Sequence, residues 1–313
     1  MQEWMQNPEQ AVIEAKASLL ARMPDCVERM QRLDQWLADE VATVHAEGAD
    51  AIPQMDYRDI VTGAVSEAQR NRIRRRGCVI IRNVFDRQQA MDWNQAISRY
   101  IDDNDYYRKA KEKAGLDQYF GALASGQPQI FGLYWSQPQM QARQHENMAE
   151  TRRWLNHLWD YARADGTLEF DPDRQCNYAD RVRRREPGDK SLGLSAHSDG
   201  GSIEHWCDPN FQQVHHDVFF GAVDAYDPFR AEGRTATQEI PSPAVCSMFR
   251  TFQGWTALTA QGPGDGTLKL IPIARSMAWM LVRALQPDVA PDDLCGAQAG
   301  RALGAYPRWH QAL

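Results

Sequence analysis

The residues best suited to chemistry lie in a short segment where an apolar run ends in His197-Ser198-Asp199 and then in two glycines. In an extended chain, residues two positions apart point to the same side. The imidazole of His197 and the carboxylate of Asp199 would therefore stand side by side on one face of a strand. They match two members of the facial triad of two histidines and one carboxylate, which binds Fe(II) and leaves coordination positions open. The pattern predicts a metal site formed by His197 and Asp199.

A His-x-Asp sequence is a weak signal by itself, because about one match arises by chance in a chain with 8 histidines. A second match lies in His215-His216-Asp217. One alternative for His197 and Asp199 is a hydrogen-bonded pair beside a turn. A site that combines them with the imidazole of His215 or His216 is another.

The composition is that of an ordinary soluble globular protein, with 43% hydrophobic and 25% charged residues among 313. A net charge of −7 and a pI of about 5.6 favour neither nucleic acid nor an anionic membrane as a partner. No apolar run approaches the ~20 residues of a membrane span, and the first residues lack a signal-peptide pattern. The six cysteines include no Cys-x-x-Cys pair, so we expect reduced thiols and a cytoplasmic location.

Helical spacing of apolar residues predicts helices over 8–47, interrupted at Pro24. We interpret residues 1–50 as a helical N-terminal extension used for packing or association. Residues 66–76 form a basic stretch, which we interpret as the solvated end of a helix and not as a nucleic-acid patch.

Further along the chain, Asp86 is the expected N-cap of a helix that reaches about Tyr100, and another helix is expected over 138–161. A last long helix is expected over 275–285. Strands are predicted over 77–85, 176–185, 245–258 and 267–273.

The order of these motifs resembles that of a known enzyme group. His-x-Asp is followed by Trp255-Thr-Ala-Leu258, a glycine-rich turn and Gly266-Thr-Leu-Lys-Leu-Ile-Pro272. This order resembles the phytanoyl-CoA-dioxygenase-like group of Fe(II)/2-oxoglutarate oxygenases. Within that group, Tyr178-Ala-Asp-Arg181, the run from His197 to Trp206, and Phe249-Arg-Thr-Phe-Gln-Gly-Trp-Thr-Ala-Leu258 are similar to the uncharacterised YbiU-like family. The likeness runs from about residue 50 to the C-terminus.

The resemblance implies an α+β fold over residues 51–313, with a double-stranded β-helix core of the jelly-roll or cupin type and with N-terminal and inserted helices. It implies Fe(II) on His197 and Asp199, and 2-oxoglutarate in contact with Trp255. The implied reaction couples decarboxylation of 2-oxoglutarate to oxidation of a small-molecule substrate, with geometry and exclusion of water supplied by the protein. No role is transferred to Asp180, Arg181 and Arg250, which belong to the YbiU-like pattern.

The sequence departs from the group in two ways. Pro272 is followed by Ile273 where a glycine is usual, and no Gly-Asp-x-x-x-x-His segment follows the last long helix. We expect that the chain lacks one or two closing strands, so that the third metal ligand and the clamp for the far carboxylate of 2-oxoglutarate would lie beyond Leu313. His310 is the alternative third ligand.

Two other functions stay open. One is a degenerate, non-catalytic jelly roll that binds a small molecule or a partner. The other is a cupin-like isomerase or hydrolase that uses a different divalent metal, since histidine and aspartate ligands do not select iron alone.

Overall fold

The structure is a computed structural model that describes residues 7–111, 129–177, 179–185, 204–238, 249–262, 265 and 267–293. Its helices, in chain order, are α1 (Pro8–Arg22), α2 (Cys26–Glu47), α3 (Tyr57–Val61), α4 (Glu67–Arg76), α5 (Arg87–Asp103), α6 (Tyr106–Lys111), α7 (Gln137–Gln144), α8 (Glu146–Asn156), α9 (Glu204–Cys207), α10 (Pro209–Val214), α11 (His216–Phe219) and α12 (Ser276–Arg283). Its strands are β1 (Gln54–Asp56), β2 (Ile80–Arg82), β3 (Ile130–Phe131) and β4 (Val182–Arg183).

The break between the first two helices is where the sequence predicts it. The side chain of Asn7 caps α1 by accepting a hydrogen bond from the backbone N–H of Gln10, and α2 starts shortly after Pro24. Proline interrupts a helix because it has no N–H to donate and its ring clashes with the preceding turn. The prediction of two helices over 8–47 is confirmed.

These N-terminal helices share a core with the far end of the described chain. Leu33 and Leu37 of α2 lie in one cluster of buried side chains with Leu281 and Val282 of α12 and Phe219 of α11. Burying each such side chain stabilises the fold by roughly 1.5–3 kcal/mol. Residues 7–47 are therefore packed into the body of the protein through the face that carries their apolar spacing.

A buried ion-pair network joins α2 to α4. The guanidinium of Arg76, which is 1% exposed, lies 3.2 Å from a carboxylate oxygen of Glu40 and 2.8 Å from one of Glu47. Arg75 also pairs with Glu40, at 2.7 Å, and Arg72 pairs with Glu47 at 3.2 Å. The interpretation of this arginine run as a solvated helix end is wrong for Arg76, because carboxylates distant in sequence surround it.

The strands form two short ladders. β1 and β2 are parallel, with Met55 opposite Ile81, whereas β3 and β4 are antiparallel, with Phe131 opposite Val182. The strands predicted over 77–85 and 176–185 are confirmed at β2 and β4.

Two other predicted strands are wrong for the residues that the structure describes. Residues 249–258 and 267–273 pair with no strand there. Side chains with high β-propensity also suit general packing: Ile273 is buried in the core beside α2 and α12, and Phe252 packs against Trp159. The double-stranded β-helix therefore stays a prediction.

The remaining helices mostly follow their sequence signals. Asp86 caps α5 through hydrogen bonds from the backbone N–H groups of Gln88 and Gln89, as predicted. The single helix predicted over 138–161 is divided at His145, whose ring nitrogen accepts a hydrogen bond from the first turn of α8. In the described part of the chain, no helix is long and apolar enough to cross a membrane.

Replacing Arg76 with methionine should lower the free energy of unfolding by about 3 kcal/mol, because it leaves Glu40 and Glu47 in a poorly solvated contact without their buried partner. Urea denaturation at neutral pH measures this loss. Arg72→Met is the matched control: its side chain is 42% exposed, so the loss should not exceed about 1 kcal/mol. Equal losses in the two variants would contradict the importance of the buried pair.

Candidate functional site

The predicted metal ligands His197 and Asp199 lie in the segment 186–203, outside the described residues. The chain enters this segment from β4 and leaves it at α9, whose Glu204, His205 and Trp206 are buried. The described residues next to this segment along the chain are therefore those of β4 and α9.

Trp255 lies in an irregular segment that is held on both sides. Before it, the hydroxyl of Thr251 donates a hydrogen bond of 2.7 Å to the side-chain oxygen of Asn156. After it, Leu258 packs against the buried cluster that contains Ile97 and Phe131. The indole of Trp255 itself is 50% exposed, so it is accessible to a ligand. This is compatible with the predicted contact to 2-oxoglutarate, which stays a prediction.

A group of polar side chains adjoins β4 on its N-terminal side. The Nε atom of Arg143 lies 2.7 Å from a carboxylate oxygen of Asp180, and its Nη2 atom donates a hydrogen bond of 2.6 Å to the backbone carbonyl of Tyr134. Gln139 crosses between the two chain segments, since its side-chain amide donates to the carbonyls of Leu133 and Asp180 at 2.8 and 2.9 Å.

Two more arginines belong to this group. Arg152 donates a hydrogen bond of 3.0 Å to the backbone carbonyl of Arg143 and one of 2.8 Å to the side-chain oxygen of Asn177, in the amide orientation that satisfies both residues. Arg181 lies over the ring of Tyr134, with 5.8 Å between its guanidinium carbon and the ring centre. We call Arg143, Arg152 and Arg181 together with Asp180 the arginine cluster.

An exposed tryptophan borders the arginine cluster. The guanidinium carbon of Arg143 is 5.1 Å from the centre of the Trp135 ring, and Trp135 is 71% exposed. No local sequence pattern marks Trp135, Arg143 or Arg152 as members of this group. The only signal for this group was the Tyr-Ala-Asp-Arg motif that contains Asp180, because the ion pair with Arg143 joins residues far apart in sequence.

Within the part of the chain that the structure describes, the second histidine pair has no further metal ligands grouped with it. His215 is buried, and its Nδ1 atom lies 2.9 Å from the backbone carbonyl of Phe211, so this nitrogen carries the proton. His216 is exposed instead, and Asp217 pairs with Arg230 at 2.7 Å. Among the described residues, no three histidine, cysteine, aspartate or glutamate side chains are grouped so that they could hold a metal.

The environment of His215 keeps its imidazole neutral. Burial, with a smaller contribution from the nearby His205, lowers the pKa of His215 to about 3. Its ring is in contact with those of His205 and Tyr226. His215 is therefore a packing residue of this region.

Comparison with known proteins identifies the family. Residues 6–313 match the family described as Gig2-like. The chain belongs to the Gig2-like family. It is 42% identical over 308 residues to the uncharacterized protein YbiU of Escherichia coli K12. This match covers 97% of the chain and 72% of YbiU. The resemblance to the YbiU-like family is thus confirmed.

Solved structures of similar proteins share the fold. A crystal structure from Salmonella typhimurium LT2, described as a "Putative Oxidoreductase", superposes with a TM-score of 0.84 at 40% identity and covers 96% of this chain and 75% of that one. GlcNAc Inducible Gene 2 of Candida albicans superposes with a TM-score of 0.72 at 27% identity, over 90% of this chain and 59% of that protein.

Replacing His215 with asparagine should weaken the acid sensitivity of the fold. The unfolded imidazole binds a proton near pH 6.5 and the buried one only near pH 3, so the unfolded state binds more protons between these values and stability falls as the pH drops. Between pH 7.5 and pH 5.0 this effect is worth about 2 kcal/mol. Urea denaturation at the two pH values measures it.

The exposed neighbour provides the control for this experiment. His216→Asn should keep the wild-type difference in unfolding free energy between the two pH values, because the His216 imidazole is already in contact with solvent in the folded chain. A wild-type pH dependence in His215→Asn would show that His215 is not held neutral by burial.

Proposed function

We propose that this protein is an Fe(II)/2-oxoglutarate-dependent oxygenase of hydroxylase type that acts on a small molecule. The observation that carries the proposal is His197-Ser-Asp199 followed by two glycines, ahead of the Trp-Thr-Ala-Leu segment. Membership of the Gig2-like family and the similarity to a protein described as a "Putative Oxidoreductase" support the coarser assignment. The proposed core is a double-stranded β-helix.

In this proposal, His197 and Asp199 are two of the protein ligands of Fe(II). Neutral imidazole and carboxylate suit Fe(II), and a facial arrangement leaves positions for 2-oxoglutarate and O₂. When bound, the metal and the keto acid supply the oxidising chemistry.

The contribution of the described residues would be to bind and orient the organic molecules. The anchored segment of Trp255 offers an exposed indole against which 2-oxoglutarate can pack. Arg143 and its neighbours offer positive charge on the chain that leads into β4. These are orienting roles, and neither requires that the side chain take part in the oxidation.

A non-catalytic jelly roll that binds a small molecule is the second candidate. A sequence observation favours it: no histidine lies between His216 and His310, so neither the Trp255 segment nor residues 267–273 supply the second imidazole of a facial triad. Without that ligand, His197 and Asp199 could bind a ligand or a metal and support no oxidation.

The charge-transfer band between Fe(II) and 2-oxoglutarate tests the proposed site. Anaerobic titration of the 313-residue chain with both should give a saturable band, and His197→Ala and Asp199→Ala should each abolish it. His215→Asn is the matched control, because His215 begins the other His-x-Asp sequence and should leave the band unchanged. Equal loss in all three variants would refute the assignment.

Other outcomes of this titration distinguish the candidate functions. If the folded wild-type chain gives no band, the non-catalytic candidate is supported and the oxygenase proposal fails for this chain. If it binds a divalent metal through His197 without forming succinate from 2-oxoglutarate in air, the metal serves a different reaction.

Trp255→Ala should weaken binding of 2-oxoglutarate by about three- to tenfold, because an aromatic contact of this kind contributes roughly 0.5–1.5 kcal/mol. The affinity for Fe(II) alone should change less. Titration of the band at fixed iron measures the first quantity, and metal titration without the keto acid measures the second. Leu268→Ala, which truncates another exposed apolar side chain, is the control. An equal fall in both affinities would count against contact between Trp255 and the keto acid.

A further inference from the structure

The arginine cluster has more positive charge than its own carboxylate neutralises. Asp180 pairs with Arg143. Among the described residues, no carboxylate lies within ion-pair distance of Arg152 or Arg181. Three guanidinium groups and one carboxylate leave a local charge of about +2, since arginine stays protonated in proteins.

The hydrogen bonds of Arg152 that the structure shows come from its Nη1 atom and do not balance its charge. Both described acceptors are neutral oxygens, the backbone carbonyl of Arg143 and the side-chain amide of Asn177. Desolvation by burial lowers the pKa of Arg152; the nearby carboxylate of Asp180 raises it, and the charge of Arg143 lowers it further. A partly desolvated cation whose hydrogen-bond acceptors are neutral is stabilised when an anion binds next to it.

The surface beside these charges suits the carbon skeleton of a small molecule. Arg143 lies near the ring of Trp135, and that side chain is nevertheless 71% exposed. An exposed tryptophan beside arginines provides an apolar surface and charged donors at the same place. This combination is typical of sites in which a few polar groups fix the orientation of a largely apolar ligand.

We propose that the arginine cluster binds a carboxylate group of a small organic acid, with Arg152 and Arg181 as its donors and Trp135 against its carbon chain. A carboxylate fits better than a phosphate. The carboxylate of Asp180, with its side chain 53% exposed, repels an incoming anion, and the repulsion grows with the anion's charge. Guanidinium groups form bidentate pairs with carboxylates and phosphates alike, so the preference for a carboxylate rests on this repulsion.

The site could receive its carboxylate from either of two sources, the oxidised substrate or the co-substrate 2-oxoglutarate. Binding of a carboxylate does not depend on the iron site. Only the identification of its source rests on the proposed oxygenase function. The experiments therefore begin with metal-free protein.

The first experiment titrates the metal-free 313-residue chain with succinate and follows the heat of binding in low-salt buffer. Wild type should bind saturably. Arg152→Gln and Arg181→Gln should each weaken binding by about tenfold or more, because each removes a charge-assisted hydrogen bond. Arg153→Gln is the matched control: this neighbour of Arg152 on α8 already pairs with Glu150, and its loss should leave succinate binding unchanged.

A variant that should raise the affinity for succinate distinguishes a binding role of the arginine cluster from a purely structural one. Asp180→Asn removes the competing carboxylate and should strengthen succinate binding several-fold, although it weakens a contact of the native fold. Thermal unfolding of every variant verifies that it is folded under the assay conditions. No saturable binding by wild type, an equal loss in Arg153→Gln, or weaker binding by folded Asp180→Asn would each overturn the proposal.

The second experiment identifies the source of the carboxylate with iron-loaded protein. If Arg152→Gln lowers the affinity for 2-oxoglutarate in the charge-transfer titration by about tenfold, the arginine cluster binds the co-substrate. If 2-oxoglutarate binds as in wild type while succinate still binds metal-free protein through Arg152, the cluster holds the substrate. Both results support a carboxylate site, and failure of the band alone would affect only the oxygenase proposal.

Discussion

Desolvation of the Arg76 guanidinium constrains how α2 and α4 can meet. A charge in this position, only 1% exposed, costs several kcal/mol unless carboxylates surround it. Glu40 and Glu47 supply them from one face of α2, because residues two helical turns apart lie on the same side. Sliding or rotating either helix would leave a buried charge without its partner, so the ion pairs fix the register of one helix against the other.

The end of α4 transmits this constraint to the rest of the fold. Gly77 has a positive φ of 69°, and a side chain there would lie 3.0 Å from the Cβ of Ala274. The backbone N–H of Ala274 donates a hydrogen bond to the carbonyl of Arg75. The chain that leads into α12 is thus attached directly behind α4, and α12 in turn packs on α2. The buried charge of Arg76, the glycine at position 77 and the apolar core all depend on the close packing of α2, α4 and the chain that leads into α12.

Structural features that depend on neighbouring residues could be predicted from the sequence, whereas contacts between residues distant in sequence could not. The break at Pro24 and the cap at Asp86 depend on neighbouring residues, and both are confirmed. The partners of Arg76 could not be predicted, because they lie on another helix and helical spacing does not specify which helices pack together. The strand predicted over 245–258 fails in its described part, 249–258, for a related reason. The apolar and aromatic side chains there pack against helices and loops instead of forming a ladder. The candidate site divides in the same way, since the His197 and Asp199 motif is local whereas Arg143 and Arg152 join Asp180 only in the folded chain.

The ion pairs of Arg76 and the arginine cluster differ in how far carboxylates of the fold balance the positive charge. At Arg76 the fold supplies two carboxylates for one buried cation. In the arginine cluster it supplies Asp180 for three cations, and neutral oxygens for the donors of Arg152. Continued past the ladder, the antiparallel register of β3 and β4, with Phe131 opposite Val182, carries residues 132–134 alongside 179–181. Tyr134 and Arg181 therefore meet through this pairing, which does not require a bound anion. A site whose geometry is fixed by the fold and whose charge is not balanced by it is preorganised for an anionic ligand, since little ordering remains to oppose binding.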